Sequence, residues 1–169
     1  MVAPKIFLFG LDEAGKTSLS NYIKTEKVTD PRPTLGISIN KWVLESVEFQ
    51  TWDVPGQINL RHLWPTSFLR ARILLFVLDT ANSARFDEAK KELDKILANY
   101  ETHGIPLVFC FHKMDLPESK ENINKARAIF KLPLILDRPV IPFQTSIKGG
   151  EGIEDLKSNL VAMIKELRW

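Results

Sequence analysis

Gly10, Gly15, Lys16 and Thr17 stand in the spacing G-x-x-x-x-G-K-[ST], between an apolar run at 6–9 and a stretch at 18–24 that can be helical. A glycine-rich turn feeding a helix presents main-chain N–H groups to an anion, and the helix dipole adds positive potential there. Lys16 is long enough to reach outer phosphates and the Thr17 hydroxyl can ligate Mg²⁺, so a nucleoside triphosphate is the first ligand this pattern suggests. A chance glycine turn beside a surface lysine is the competing reading. The strand and helix expected on either side argue against it.

Other residues of this kind follow apolar runs. Asp53-Val54-Pro55-Gly56-Gln57 comes after the run at 47–53. An Asp at a strand end can hold Mg²⁺, directly or through water, a Gly can offer its N–H to a terminal phosphate, and a Gln can orient water. His112-Lys113-Met114-Asp115 follows the run at 107–111, and Gln144-Thr145-Ser146-Ile147-Lys148 follows that at 140–143. Each segment alone is no more than polar residues at a strand end. Together they gather where open α/β sheets bind ligands, outside the carboxyl ends of the strands.

The elements that must position these residues are legible as period and punctuation. Runs at 73–78, 107–111 and 140–143 are short and rich in branched or aromatic residues, as strands buried on both faces are. Between them Phe86, Ala89, Leu93, Ile96 and Tyr100 fall at helical spacing, as do Ile153, Leu156, Leu160, Met163 and Leu167, which predicts core-facing stripes. Strand–helix alternation implies right-handed crossovers and a mainly parallel sheet. Segments 37–44 and 47–53, joined by Glu45-Ser46, read as a hairpin that places one antiparallel edge strand on that sheet.

Composition bounds the rest. With 169 residues, 44% of them hydrophobic, the chain is expected to form one domain, 1–169, with a sizeable core. Net charge is +2 and the cations are scattered, which gives no footprint for nucleic acid. Cys110, the single cysteine, lies in an apolar run and suits a reducing cytosol. Neither a signal peptide, a membrane-spanning run nor a lipidation motif is apparent, because position 2 is Val2 and the ending Glu166-Leu167-Arg168-Trp169 has no cysteine. A cytoplasmic monomer, peripheral to membranes only through partners, is the expectation.

The ordered motifs resemble the small GTPases, and the Arf-like branch in particular. Gly-Leu-Asp-x-Ala-Gly-Lys-Thr at 10–17, Pro33-Thr34-Leu35-Gly36, Trp52 before Asp53-Val54-Pro55-Gly56-Gln57, the Lys113/Asp115 pair and Ser146 carry the likeness along nearly the whole chain. The resemblance implies a P-loop NTPase fold of the small G-protein type: a six-stranded, mostly parallel sheet with one antiparallel edge strand and helices on both faces. It implies GTP and GDP as ligands with Mg²⁺ as cofactor, held by Asp12, Glu13, Ala14, Gly15, Lys16, Thr17 and Ser18 around the phosphates. Thr17, Thr34 and Asp53 (through water) would serve the metal, and Gly56 N–H the last phosphate. His112, Lys113, Asp115, Ser146 and the Ile147 N–H would serve the guanine, with Gln57 and Lys16 in catalysis. Asp115 can accept from both the ring N–H and the exocyclic amine of guanine, which adenine does not match. Slow hydrolysis and a switch spanning about 30–40 and 53–68 follow, with effectors, an exchange factor and a GTPase-activating protein as partners.

The pattern is not followed everywhere. His112 stands where the family has Asn, which either perturbs nucleotide affinity and its pH dependence or is accommodated by other contacts. Pro55 replaces a Gly and is expected to stiffen the second switch. Arg32 is either a solvated loop charge or an arginine finger supplied in cis; its spacing to Thr34 matches no familiar cis arrangement, which favours the solvated charge. The family's exposed apolar triad for effectors maps to Ile37, Trp52 and Ser67, although Trp42, Trp52 and Trp64 can all be core anchors. The first strand starts near Lys5, so an amphipathic leader helix is either dispensed with or removed. Two rivals stand: a non-hydrolysing, nucleotide-stabilised interaction subunit, and a P-loop ATPase or small-molecule kinase, which Lys113, Asp115 and the lack of a second substrate-binding insertion disfavour.

Overall fold

A computed structural model describes residues 2–166. Six strands, β1 (Lys5–Phe9), β2 (Ser38–Leu44), β3 (Val47–Asp53), β4 (Ile73–Asp79), β5 (Leu107–His112) and β6 (Val140–Gln144), form one sheet in the order β2-β3-β1-β4-β5-β6. Every pairing is parallel except β2 with β3. Among the described residues five α-helices, with short 3-10 turns between elements, complete the fold: α1 (Lys16–Thr25), α2 (Trp64–Ser67), α3 (Phe86–Leu97), α4 (Pro117–Phe130) and α5 (Ile153–Glu166).

The central strands sort their side chains by chemistry because successive residues point to opposite faces. Phe7, Phe9, Leu74, Phe76, Leu107 and Phe109 meet α2, α3 and α4 in one core. Ile6, Leu8, Ile73, Leu75, Val77, Val108 and Cys110 meet α1 and α5 in the other. The first face is aromatic, with Phe9 edge-on to Trp64 at 5.7 Å between centroids and Phe76 at 5.3 Å from Phe109.

Three expectations need correction. The run at 140–143 is a strand, but it is the sheet margin and half-exposed, not buried on both faces. Tyr100 leaves the α3 stripe: that helix ends at Leu97, the Asn99 side chain accepts from Glu101 N–H to start a separate turn, and Tyr100 is 89% exposed. In the last helix Ile153, Leu156 and Leu160 are buried as expected, joined by Val161 and Ile164, while Leu167 lies outside the described residues. The hairpin is as expected, with Leu44 opposite Val47. Its two turn residues, Glu45 (φ 45°) and Ser46 (φ 64°), are both left-handed.

Candidate nucleotide-binding site

The turn between β1 and α1 is shaped by Gly15, whose φ of 96° caps the helix without any side-chain hydrogen bond. A Cβ at Gly15 would also stand 2.8 Å from the His112 ring, so glycine is required there for both conformation and space. With no cap, the first-turn amides of α1 are left for a ligand, as an anion at a helix N-terminus requires. Lys16 is buried and donates from Nζ to the Leu11 carbonyl at 2.7 Å; burial lowers its pKa to about 8, against the charges of Asp53 and Asp12.

Thr17 Oγ1 donates to Asp53 Oδ2 at 2.6 Å and lies 3.0 Å from Thr34 Oγ1, so three oxygens from a helix, a strand end and a loop converge. Asp53 is fully buried, its Oδ1 has no partner, and burial raises its pKa against the Thr17 hydrogen bond and the Lys16 charge. A lone buried carboxylate oxygen beside two hydroxyls fits a small hard cation. No cluster of three or more His, Cys, Asp or Glu side chains suited to a metal occurs among the described residues. These three oxygens alone are too few for the octahedral shell of a hard cation such as Mg²⁺, which takes its other ligands from water or from a bound anion.

A cleft of about 830 Å³ is lined by Asp12, Glu13, Gly15, Lys16, Thr17 and Ser18 on one side and by residues 30–34, Gly56 and Gln57 on the other. Gly56 packs against the phosphate loop so closely that a Cβ would overlap the Asp12 main-chain N and the Leu11 carbonyl. Ala14 is the exception among the loop residues: its methyl is buried and its N–H turns back to Leu11 O at 3.4 Å, away from the cleft.

The residues assigned to the base form a second group. Ser146 Oγ donates to Asp115 Oδ1 at 2.7 Å, while the Asp115 side chain stays exposed. Lys113, with φ 63°, bridges the two groups, giving Nζ to the Glu13 carbonyl and to Asp79 Oδ2, both at 2.7 Å. His112 lies behind Gly15 instead of facing the cleft: it is buried, and its Nδ1 is 2.8 Å from Thr145 Oγ1. Burial pushes its pKa down to about 4, helped by Lys113 and opposed by Asp79 and Asp115, so the ring is neutral near pH 7. Ile147 is half-buried against the α1/α5 core.

Sequence reasoning passed over several participants. Asp79 ends β4 as Asp53 ends β3, and the rule of inspecting the carboxyl ends of strands would have found it. Arg61 had no such signal. It is buried; its Nε donates to the Gly56 carbonyl and one Nη to Glu88, both at 2.7 Å. Glu88 also accepts from Arg85, which holds Asp12 Oδ1 at 2.8 Å. This chain of charges joins the phosphate loop, the segment after Gly56 and α3. Ser67 leaves the predicted apolar triad: it is buried inside α2, with Oγ donating to Leu63 O.

A glycine-rich turn into a helix, a hydroxyl–carboxylate corner and an Asp/Lys pair at the ends of a parallel sheet are the layout of a small GTPase. A family model described as "Arf: ADP-ribosylation factor family" matches residues 3–164, and the chain belongs to that family. It is 30% identical over 164 residues to ADP-ribosylation factor-like protein 3 of Chlamydomonas reinhardtii, covering 97% of this chain and 90% of that protein. To ADP-ribosylation factor-like protein 6 of Danio rerio it is 32% identical over 166 residues, covering 94% and 89%. The solved structure of the Arl6 BBS3 small GTPase from Trypanosoma brucei with bound GppNp superposes with a TM-score of 0.86 at 23% identity, covering 98% of this chain and 99% of that one, which shows the fold.

Proposed function

We propose that this chain binds GDP and GTP with Mg²⁺, hydrolyses GTP slowly, and uses the difference between the two states to control a protein partner. The observation that carries the reading is the convergence of Thr17, Thr34 and Asp53, with one Asp53 oxygen buried and unpartnered beside the phosphate cleft. Thr17 and Asp53 are fixed by α1 and β3, whereas Thr34 sits on an irregular segment. Mg²⁺ bound there would supply charge neutralisation on the β and γ oxygens. Thr34 then has a reason to stay in place only while the triphosphate is present, and hydrolysis releases it.

Lys16 sets its ammonium against the outer phosphates, and Gly56 offers its N–H to the last of them. Gln57 lines the same cleft and orients water for in-line attack. Asp115, already held by Ser146, accepts two hydrogen bonds from guanine, and the Lys113 stem lies along the base. Exposed apolar residues on the two segments and the hairpin between them, Leu35 (78%), Ile58 (77%), Ile39 (53%) and Val43, form the surface offered to an effector. Residence in the cytoplasm, at membranes only through partners, accords with this reading. Among the described residues no helix is long and apolar enough to cross a membrane.

Nucleotide released from the purified protein by denaturation should be guanine nucleotide, and calorimetry should show Mg²⁺-dependent binding of GDP and GTP but not ATP. Asp115→Ala should weaken guanine binding by about 100-fold, the loss of two charge-assisted hydrogen bonds. Tight binding with no turnover would support the non-hydrolysing interaction subunit instead, and tight ATP binding the ATPase or kinase. No binding of GDP with Mg²⁺ would sink the proposal.

A further inference from the structure

Arg32 lies in the segment Asp30-Pro31-Arg32-Pro33-Thr34, all five residues of which line the phosphate cleft together with Lys16 and Gln57. Both neighbours of Arg32 are proline. Pro33 disfavours helical backbone at Arg32 and each ring fixes one φ, so this segment, which carries no regular secondary structure, favours extended chain. Its far end is anchored, because Thr34 Oγ1 stands 3.0 Å from Thr17 Oγ1 at the metal corner. Two residues of extended chain span about 7 Å, so a side chain as long as arginine reaches back to the phosphoryl group that Thr34 flanks.

The other cations near the cleft already have work to do. Lys16, which lines the cleft, is the lysine read above as facing the outer phosphates, and Lys113 is held by Asp79 and Glu13. Arg61 and Arg85 are tied to Glu88. Among the described residues Arg32 makes no side-chain hydrogen bond or ion pair, although Asp30 lines the same cleft. Its guanidinium is exposed and so available to meet charge that develops only during reaction.

We propose that Arg32 is an arginine supplied in cis that stabilises the transition state of GTP hydrolysis; this rests on the guanine-nucleotide reading above. Water oxygen forms a bond to the γ phosphorus as the bond from that phosphorus to the β–γ bridging oxygen breaks. The electron pair of the broken bond stays on GDP, and the protons of the water pass to inorganic phosphate and solvent. The Arg32 guanidinium donates to the equatorial oxygens and to the bridging oxygen, where negative charge accumulates. Arg32 is exposed, as the solvated-charge reading expects, and the two readings part only in the transition state. Turnover remains slow: G proteins with such an arginine in cis turn over at about 10⁻² s⁻¹, and those without at about 10⁻⁴ to 10⁻³ s⁻¹.

The test uses the whole chain with GDP, Mg²⁺ and aluminium fluoride, which mimics the planar γ-phosphoryl group, and no second protein. Fluorescent GDP should report fluoride capture by the unaltered chain and by Arg70→Ala, an exposed arginine remote from the cleft. Arg32→Ala and Arg32→Lys should lose capture while binding GDP within about threefold of the unaltered chain, and their single-turnover hydrolysis should fall by about 20- to 100-fold. Equal fluoride capture by Arg32→Ala, or none by the unaltered chain with GDP bound, overturns the role of Arg32 alone. Failure of the unaltered chain to bind GDP overturns the guanine reading and this proposal with it.

Discussion

His112 is a neutral ring in a closed slot, with Thr145 on one side and Gly15 on the other, and Lys113, Asp79 and Asp115 as the charges that act on it. Its pKa of about 4 lies below the ordinary value, so between pH 4 and 6.5 the unfolded chain takes a proton that the folded chain refuses. The stability this neutral ring contributes is therefore complete above about pH 6.5 and declines as pH falls towards 4, by on the order of 3 kcal/mol. Urea midpoints measured across that window should fall with acidity, and His112→Asn should flatten the slope. An unchanged slope would move its origin elsewhere. Arg61 makes a second residue-scale case. Arg61→Ala takes a buried donor from Gly56 O and a partner from Glu88, and should cost about 1–3 kcal/mol in stability. Hydrogen exchange at 54–68 should accelerate even with nucleotide bound; if those amides stay protected, the guanidinium is not what steadies the segment.

At the scale of elements, the β2–β3 turn places Glu45 and Ser46 both at positive φ, as a type I′ two-residue turn requires but side chains with a Cβ resist. Ser46→Gly should raise the unfolding free energy by about 1 kcal/mol, read as a higher urea midpoint at constant slope; a lower midpoint would mean the turn is not strained. The same hairpin shows what a sequence carries well. Its strands could be delimited within a residue because Trp42, Leu44, Val47 and Phe49 alternate with exposed partners across two punctuating residues. The margin at β6 was harder, because an apolar run does not say how many neighbours it has; Pro142, which lacks an N–H for the ladder, was the overlooked sign of an edge. Gly15, Lys16, Thr17, Gly56 and Lys113, which line the cleft, could be picked out because each follows closely on a strand end, whereas His112, picked by the same rule, lies behind Gly15. The Asp12–Arg85–Glu88–Arg61 chain was not legible, since its members come from segments far apart in the sequence and no local spacing joins them. Ser67 misled for a related reason: position in a pattern said nothing about the burial that α2 imposes.

Taken whole, the molecule concentrates its least satisfied groups at one end of a well-packed sheet. The uncapped start of α1, the lone oxygen of Asp53 and the buried lysine all await charge of the opposite sign, while two close-packed cores cover the two faces of the same strands. Ligand binding should thus be read directly as stability. GDP with Mg²⁺ at about 1,000 times its Kd adds about 4 kcal/mol, which for a chain of this size raises Tm by about 8–16 °C. Calorimetric scans with and without EDTA would check this, and a Tm indifferent to chelation would separate the metal from the fold. The indole of Trp64 is buried against Phe9, and its Nε1 donates to the Pro55 carbonyl at 2.8 Å. Any rearrangement that carries Pro55 away must break that bond and alter the polarity around the ring. The chain therefore contains its own optical gauge: the colour of its ultraviolet emission should follow nucleotide exchange in real time, with no dye attached.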